Sequence, residues 1–216
     1  MKAPHHQASP QLRLDVKERL LELLVANRLQ KGRVNESDLA RRIGVSRTPL
    51  REALVNLESE GFVQAADRGF CVPPLRALEI REIYPIIASL EVLALRSAGL
   101  PDNNQLKALS HLNDLYTRGR RNAREAVLLD TKFHDLLLSH CPNRRLIRLI
   151  HQHRLLLKRH ELVFMKQDSF FAESGRQHDR IIAALRRSQL ICACKLLEEN
   201  WLAGMKLLLL RTEWRD

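Results

Sequence analysis

The chain holds few cysteines and spaces none of them for shared chemistry. Four occur in 216 residues, Cys71, Cys141, Cys192 and Cys194, and no two form a C-x-x-C pair. Cys192 and Cys194 stand two apart in a segment of helical periodicity, so their side chains diverge and suit neither a common metal nor a disulfide. All four read as reduced thiols of a cytosolic protein. Long apolar runs are missing too. The opening MKAPHHQASPQ is polar and has no signal-peptide core. The run LLLL at 207–210 falls far short of the about 20 residues that cross a bilayer. These absences predict a soluble, cytoplasmic protein with no membrane partner. Strand-like sequence is scarce, and there are no internal repeats or low-complexity segments.

What the chain has in excess is positive charge: 36 Lys+Arg against 25 Asp+Glu, a formal net of +11 and a pI near 10.1. Such a balance favours a polyanionic partner. The excess is uneven, however. Residues 1–74 carry 12 basic and 9 acidic side chains, whereas residues 75–216 carry 24 and 16. Any nucleic-acid contact in the first segment must therefore come from placed residues rather than bulk charge.

Periodicity predicts a first helix over 12–30, with Val16, Leu20, Leu23 and Leu24 on one face and Gly32 beyond its end. A short second helix is framed by Asn35 as N-cap and Gly44 as its close. A third runs from Ser46 to Ser59. GFVQAADRGFCV, 61–72, carries the one hairpin signal, turning at Asp67-Arg68-Gly69. After Pro73-Pro74 only helices are predicted, near 75–99, 103–121, 123–140, 144–166, 170–187 and 189–211. The expected organisation is a disordered tail over 1–11, a small helical domain with a hairpin over 12–74, and an all-helical domain over 75–216.

Within VSRTPLREAL, 45–54, charge and core share one short helix. Leu50, Ala53, Leu54 and Leu57 make the buried seam at i, i+3, i+4, i+7. Arg47 and Arg51, one turn apart, share another face, and Thr48 stands beside them. Pro49 falls in the first turn, where its missing N–H costs nothing. Two short helices around a tight turn match the helix-turn-helix plan, in which the second helix enters the major groove N-terminus first. Arginine there pairs with guanine O6 and N7, while hydroxyls hold phosphates. A hairpin placed after it serves as a wing with Arg68 at its tip.

The stretch VNESDLARRIGVSRTPLREALVNLESEGFV, 34–63, followed by RGFCV, resembles the N-terminal winged helix-turn-helix of the GntR family of bacterial transcription regulators. The resemblance implies DNA contacts from Arg41, Ser46, Arg47, Thr48 and Arg51, and from Arg68 and Gly69 in the wing. Ser37 stands where some relatives carry an arginine.

In the later helices Asp130 and His134 share a stripe with Val127, Thr131 and Leu138. His178 lines up with Ile181, Ile182 and Leu185, and Asn200 with Leu196, Leu197, Ala203 and Leu207. Polar side chains aimed at a helical core need partners or an ion. Asp and His at i, i+4 form a two-ligand edge for a divalent cation, and His178 can add a third ligand. A hydrogen-bonded core network satisfies the same pattern. His153 and His160, on the apolar face of 144–166, are either pocket-lining or core histidines.

Residues 75–216 resemble the helical effector domain, FCD-like, of the FadR-type branch of that family, through D-x-x-x-H at 130–134, PN at 142–143 and QHDRIIAAL at 177–185. The resemblance implies a mainly α fold, a winged helix-turn-helix followed by a bundle of about six helices. It implies a divalent cation, zinc, nickel or manganese, held by Asp130, His134 and His178. Asn200 takes the fourth place, where a histidine is usual, and an amide oxygen is a poor ligand for zinc or nickel. Ile87 stands where relatives often carry an arginine. The implied function is a DNA-binding regulator, a repressor and a homodimer on a palindromic duplex operator. A small effector, a sugar acid, organic acid or amino acid, would be bound in the helical domain near His153, His160 and Asn200. Two rivals are a helical domain that only dimerises and a metal-dependent hydrolase. Against the hydrolase, no nucleophile motif or neighbouring general base is apparent, so a non-enzyme is expected.

Overall fold

The computed structural model describes residues 10–26, 28–29, 32–119, 122–164 and 168–210. These divide into two compact units, one ending at Pro74 and the other beginning at Leu75. Of the expected disordered tail, residues 1–9 lie outside the described residues, while Pro10 and Gln11 already belong to the first helix.

The first unit contains α1 (Pro10–Val25), β1 (Gly32–Arg33), α2 (Glu36–Ile43), α3 (Arg47–Ser59), β2 (Gln64–Ala66) and β3 (Gly69–Val72). Its core joins Val16, Leu20 and Leu24 of α1 to Leu50, Ala53, Leu54 and Leu57 of α3, none more than 1% exposed. Burying each of these leucines contributes about 1.5–3 kcal/mol, so the seam outweighs the short helices' own propensities. Leu23 is only half-buried, because it lies off that seam. The Lys17 Nζ bonds Glu60 at 2.6 Å and ties α1 to the far end of α3. Asn35 Oδ1 accepts the Asp38 N–H at 3.1 Å, and Gly44 closes α2. Pro49 is buried within the first turn of α3.

The sheet has the order β1-β3-β2, all antiparallel. Gln64 pairs with Cys71 and Ala66 with Gly69, as the hairpin signal predicts. The third strand, pairing Arg33 with Cys71, is an addition to the sequence reading. Two residues are too short a run to show a period of two. Gly69 is obligatory at the hairpin tip: its φ is +91°, and a Cβ would stand 2.7 Å from Glu36 Oε1.

The second unit contains α4 (Ala77–Ala98), α5 (Asn103–Asp114), α6 (Ala123–Leu137), α7 (Arg144–Phe164), α8 (Asp168–Arg186) and α9 (Leu190–Leu209). Side chains of Asp102, Asn122 and Asn143 cap α5, α6 and α7 by accepting backbone N–H groups at 2.7, 2.9 and 3.1 Å. The last helix packs against both α4 and α8. Ile80, Ile87, Phe133, Ile150, Leu157, Ile181 and Leu197 are all fully buried in the common core. A π-helical stretch, Leu115–Gly119, continues α5. No helix among the described residues is long and apolar enough to cross a membrane.

Candidate functional site: a basic helix end and a buried Asp-His-His cluster

The N-terminal turn of α3 points away from its seam. Ser46 adopts the extended N-cap conformation, but its side chain makes no capping bond. Arg47, Thr48 and Arg51 are exposed at the start of α3, while Leu50 and Leu54 are buried. Arg47, Arg51, Arg68 and Gly69 line one concave surface together with Arg33 and Ser37. Thr48 joins Arg47 and Arg51 in lining the adjoining one. Arg41 lies on α2, paired with Asp38, and lines neither concavity. Four guanidiniums thus converge where a helix N-terminus adds its own positive end, an arrangement suited to a phosphate backbone.

Two residues at this surface have no counterpart in the sequence reading. Arg33 arrives through β1, the strand without a local signal. Glu36 is nearly buried beneath the arginines, with its Oε2 3.8 Å from Arg47 Nη2. It steadies that guanidinium and fills the space that only a glycine at 69 leaves open.

In the helical unit, α6 carries Asp130 and His134, which line a chamber, and α8 sets the fully buried His178 beside them. One ligand atom from each lies within 4.8 Å of the others. His178 Nε2 is 3.5 Å from Asp130 Oδ1, and His134 Nε2 is 3.9 Å from Asp130 Oδ2. In a tetrahedral zinc site with bonds of about 2.0–2.1 Å, neighbouring ligand atoms stand roughly 3.4 Å apart. The Asp130–His178 pair stands near that spacing, whereas the other pairs, within 4.8 Å, would have to close further around such an ion.

The outer nitrogens decide which lone pairs are free. His134 Nδ1 bonds Glu91 Oε2 at 2.7 Å. Glu91 also accepts from Arg154 Nε, and Arg154 Nη1 donates to Asp135 at 2.6 Å. Asn113 donates its Nδ2 to Gly175 O at 2.9 Å and to Asp179 at 2.8 Å, so its Oδ1 must face His178 Nδ1 at 3.1 Å. Both imidazoles are therefore supported outward at Nδ1 and turn Nε2 toward Asp130. This is the outer support that metal-ligating histidines require. The donor set fits a divalent cation on three of its positions.

The charges agree. Burial would raise the Glu91 carboxyl, but Arg154 and His134 hold it down at about 2. Burial would lower His134, yet the charge and hydrogen bond of Glu91 together with the charge of Asp130 raise it, so a cation would have to displace its Nε2 proton. His178 is held well below the usual histidine range by burial and then by His134, which keeps its Nε2 a lone pair. Burial raises Asp130, with His134 opposing. Glu161 is pushed up to about 7 by burial and by the charge of Asp130.

Asn200 is buried in the lining of the same chamber, and its Nδ2 donates to Gln177 Oε1 at 2.8 Å. Ser174 Oγ lies 3.5 Å from both Asp130 Oδ1 and His178 Nε2. His153 and His160 line neither cavity that opens on the cluster. His153 Nδ1 bonds Leu149 O at 2.8 Å within its own helix, and His160 Nε2 meets Glu79 at 3.0 Å. Apolar residues recur along the whole of α7, so periodicity does not say which histidines reach the chamber; the partners do. Glu161, from that same helix, lines both cavities instead.

Comparison with known proteins agrees with both halves. Residues 12–72 match the family described as "Bacterial regulatory proteins, gntR family", and residues 82–201 match the FCD domain. An uncharacterized HTH-type transcriptional regulator of Bacillus subtilis, YdhC, is 31% identical over 169 residues, covering 68% of this chain and 75% of that protein. The Nta operon transcriptional regulator of Aminobacter aminovorans is 36% identical over 121 residues, 55% of this chain and 58% of that protein. Among solved structures, E. coli McbR/YncC superposes with a TM-score of 0.75 at 22% identity, covering 94% of this chain and 98% of that one, a likeness of fold.

Proposed function

The chain belongs to the GntR family of bacterial regulatory proteins and carries an FCD domain, and from that premise we propose a ligand-controlled repressor that binds a palindromic operator as a homodimer. It is a DNA-binding transcriptional regulator; the palindrome, the dimer, the direction of control and the effector are the proposal. The observation that carries it is the convergence of Arg47, Arg51 and Arg68 on one surface at the start of α3. Arg47 and Arg51 are assigned to base edges, and Ser46, Thr48, Arg68 and Gly69 to backbone and groove contacts. Arg41, held by Asp38, is assigned to phosphate. A two-fold protein reads two-fold DNA, so two such surfaces address two half-sites.

In the helical unit, Asp130, His134 and His178 would hold one divalent cation, which when bound supplies a positive anchor for a ligand's donor atoms. The chain's own residues orient the ligands: Glu91 and Asn113 fix the two rings, and Ser174 and Asn200 border the remaining side. A small effector in the chamber would shift operator affinity by its difference in affinity for the two states of the protein. Deleting the gene should raise transcription from an adjoining promoter, and footprinting there should give protection with two-fold symmetry. Unchanged transcription with no footprint counts against the reading.

A further inference from the structure

Helix α4 buries one side and leaves the other bare. Ile80, Tyr84, Ile87, Glu91, Ala94 and Leu95 are buried, and the helix packs on α7 and α9. Its outer side is apolar as well. Leu78, Ile86 and Leu93, with Leu100 just past the helix end, are each between 45% and 56% exposed. They are four of the ten exposed large apolar side chains among the described residues. Their spacing, close to two helical turns from each to the next, sets them in one stripe. Single exposed leucines need no explanation, but a stripe of them marks an interaction surface. We infer that a second copy of the chain docks on this stripe, its α4 antiparallel to the first about a two-fold axis at Ser89. The inference rests on the homodimer reading above and names the surface that makes the dimer.

The stripe is complementary to itself. In an antiparallel pair centred on Ser89, Leu78 lies level with the partner's Leu100, and Pro85 with the partner's Leu93. Ile86 comes within one residue of the same leucine. Glu82 lies level with the partner's Arg96, and by symmetry Arg96 with the partner's Glu82. All of these side chains are exposed. A two-fold interface uses one patch on both sides, so every such pairing occurs twice. Ser89, small and exposed, stands at the axis, where it lets the two helices come close. A parallel pair would instead set Glu82 on Glu82 and Arg96 on Arg96, like charge against like charge. Arg96 also touches the Cys194 thiol of its own chain, a neutral partner that leaves its charge in place. An unrelated protein would have to supply this spacing of charge and apolar groups; the chain already carries it.

Sedimentation equilibrium of the full chain tests the surface. The parent should be a dimer at micromolar concentration. Leu93→Glu, Glu82→Arg and Arg96→Glu should each weaken that dimer about tenfold or more, since every change is felt twice across the axis. The double variant Glu82→Arg with Arg96→Glu restores opposite charges at both crossings and should recover most of the loss. Leu128→Glu, at an exposed leucine of α6, should leave the dimer intact. Thermal melts check that each variant is folded. A dimer indifferent to Leu93→Glu and to both charge reversals overturns the inference while leaving the homodimer reading standing. Weakening by the single charge variants without recovery in the double overturns the antiparallel pairing. A monomeric parent overturns the inference and the homodimer reading together.

Discussion

His134 and Glu91, 43 residues apart in the chain, meet with Nδ1 and Oε2 2.7 Å apart in the interior of the helical unit. Neither side chain is more than 2% exposed. Arg154 closes the arrangement by bonding the other oxygen of Glu91 and covering the face of Trp201 at 6.0 Å. One buried carboxylate thus joins α4, α6 and α7 and sets which nitrogen of His134 is free. Removing one partner of such a network leaves an uncompensated buried charge.

The carboxyl of Glu91 is lowered from 4.5 to about 2 in the folded chain. A depressed carboxyl contributes stability that is complete above its unfolded value and lost as pH falls through the folded one. The helical unit should therefore lose stability as pH drops from about 4.5 to about 2. In a series of thermal melts across that range, Glu91→Gln should be less stable at neutral pH and flatter below it. A variant with the same acid slope as the parent would remove Glu91 from this role.

Metal content gives the next test. Elemental mass spectrometry of protein purified without a chelating tag should find about one divalent ion per chain, lost in His134→Ala and in His178→Ala. Glu91→Gln, which frees the His134 ring, should weaken retention roughly 10–100-fold. Asn200→His should slow loss to a chelator, because it supplies an imidazole in the lining of the same chamber. No metal in parent and Asn200→His alike would make the cluster a hydrogen-bonded core network.

A close approach of two helical segments is also testable. A Cβ at Gly175 of α8 would stand 2.2 Å from Thr117 Cγ2 in the π-helical stretch. Gly175→Ala should destabilise the helical unit by about 1–3 kcal/mol, the usual cost of overpacking. Thr117→Ser removes that methyl and keeps the Oγ bond to Asn113 O at 2.9 Å. The double variant should recover most of the loss in urea unfolding; no recovery would place the cost elsewhere.

The sequence carried most of the helices because their seams are local. Leu50, Ala53, Leu54 and Leu57 recur at helical spacing and are buried together. Asp130, His134 and His178 were legible as inward-facing polar positions, and they do converge. The partners that give the cluster its chemistry were not. Glu91 and Asn113 lie 43 and 65 residues from the rings they orient, and no periodicity reports such a pairing. The one trace was Glu91, a charged residue inside the apolar run IIASLEVLAL of α4. His153 and His160 failed to reach the chamber for the converse reason: both find partners on or beside their own helix. On the basic surface, Arg33 depended on a strand of two residues, and Glu36 gains its meaning only from its neighbours Arg47 and Gly69.

The most direct test of the central claim is a fluorescence anisotropy titration of the purified chain. It compares a palindromic duplex from the footprinted promoter with a scrambled duplex, across salt. The account predicts preferential binding that weakens steeply with salt. It also predicts that Arg47→Ala and Arg51→Ala each cost about 1–3 kcal/mol on the palindrome, roughly 5- to 150-fold, with little change on scrambled DNA. Arg180→Ala, on the helical unit, should change neither. Equal affinity for both duplexes, indifferent to Arg47 and Arg51, would contradict the assignment of α3 as the element that reads DNA.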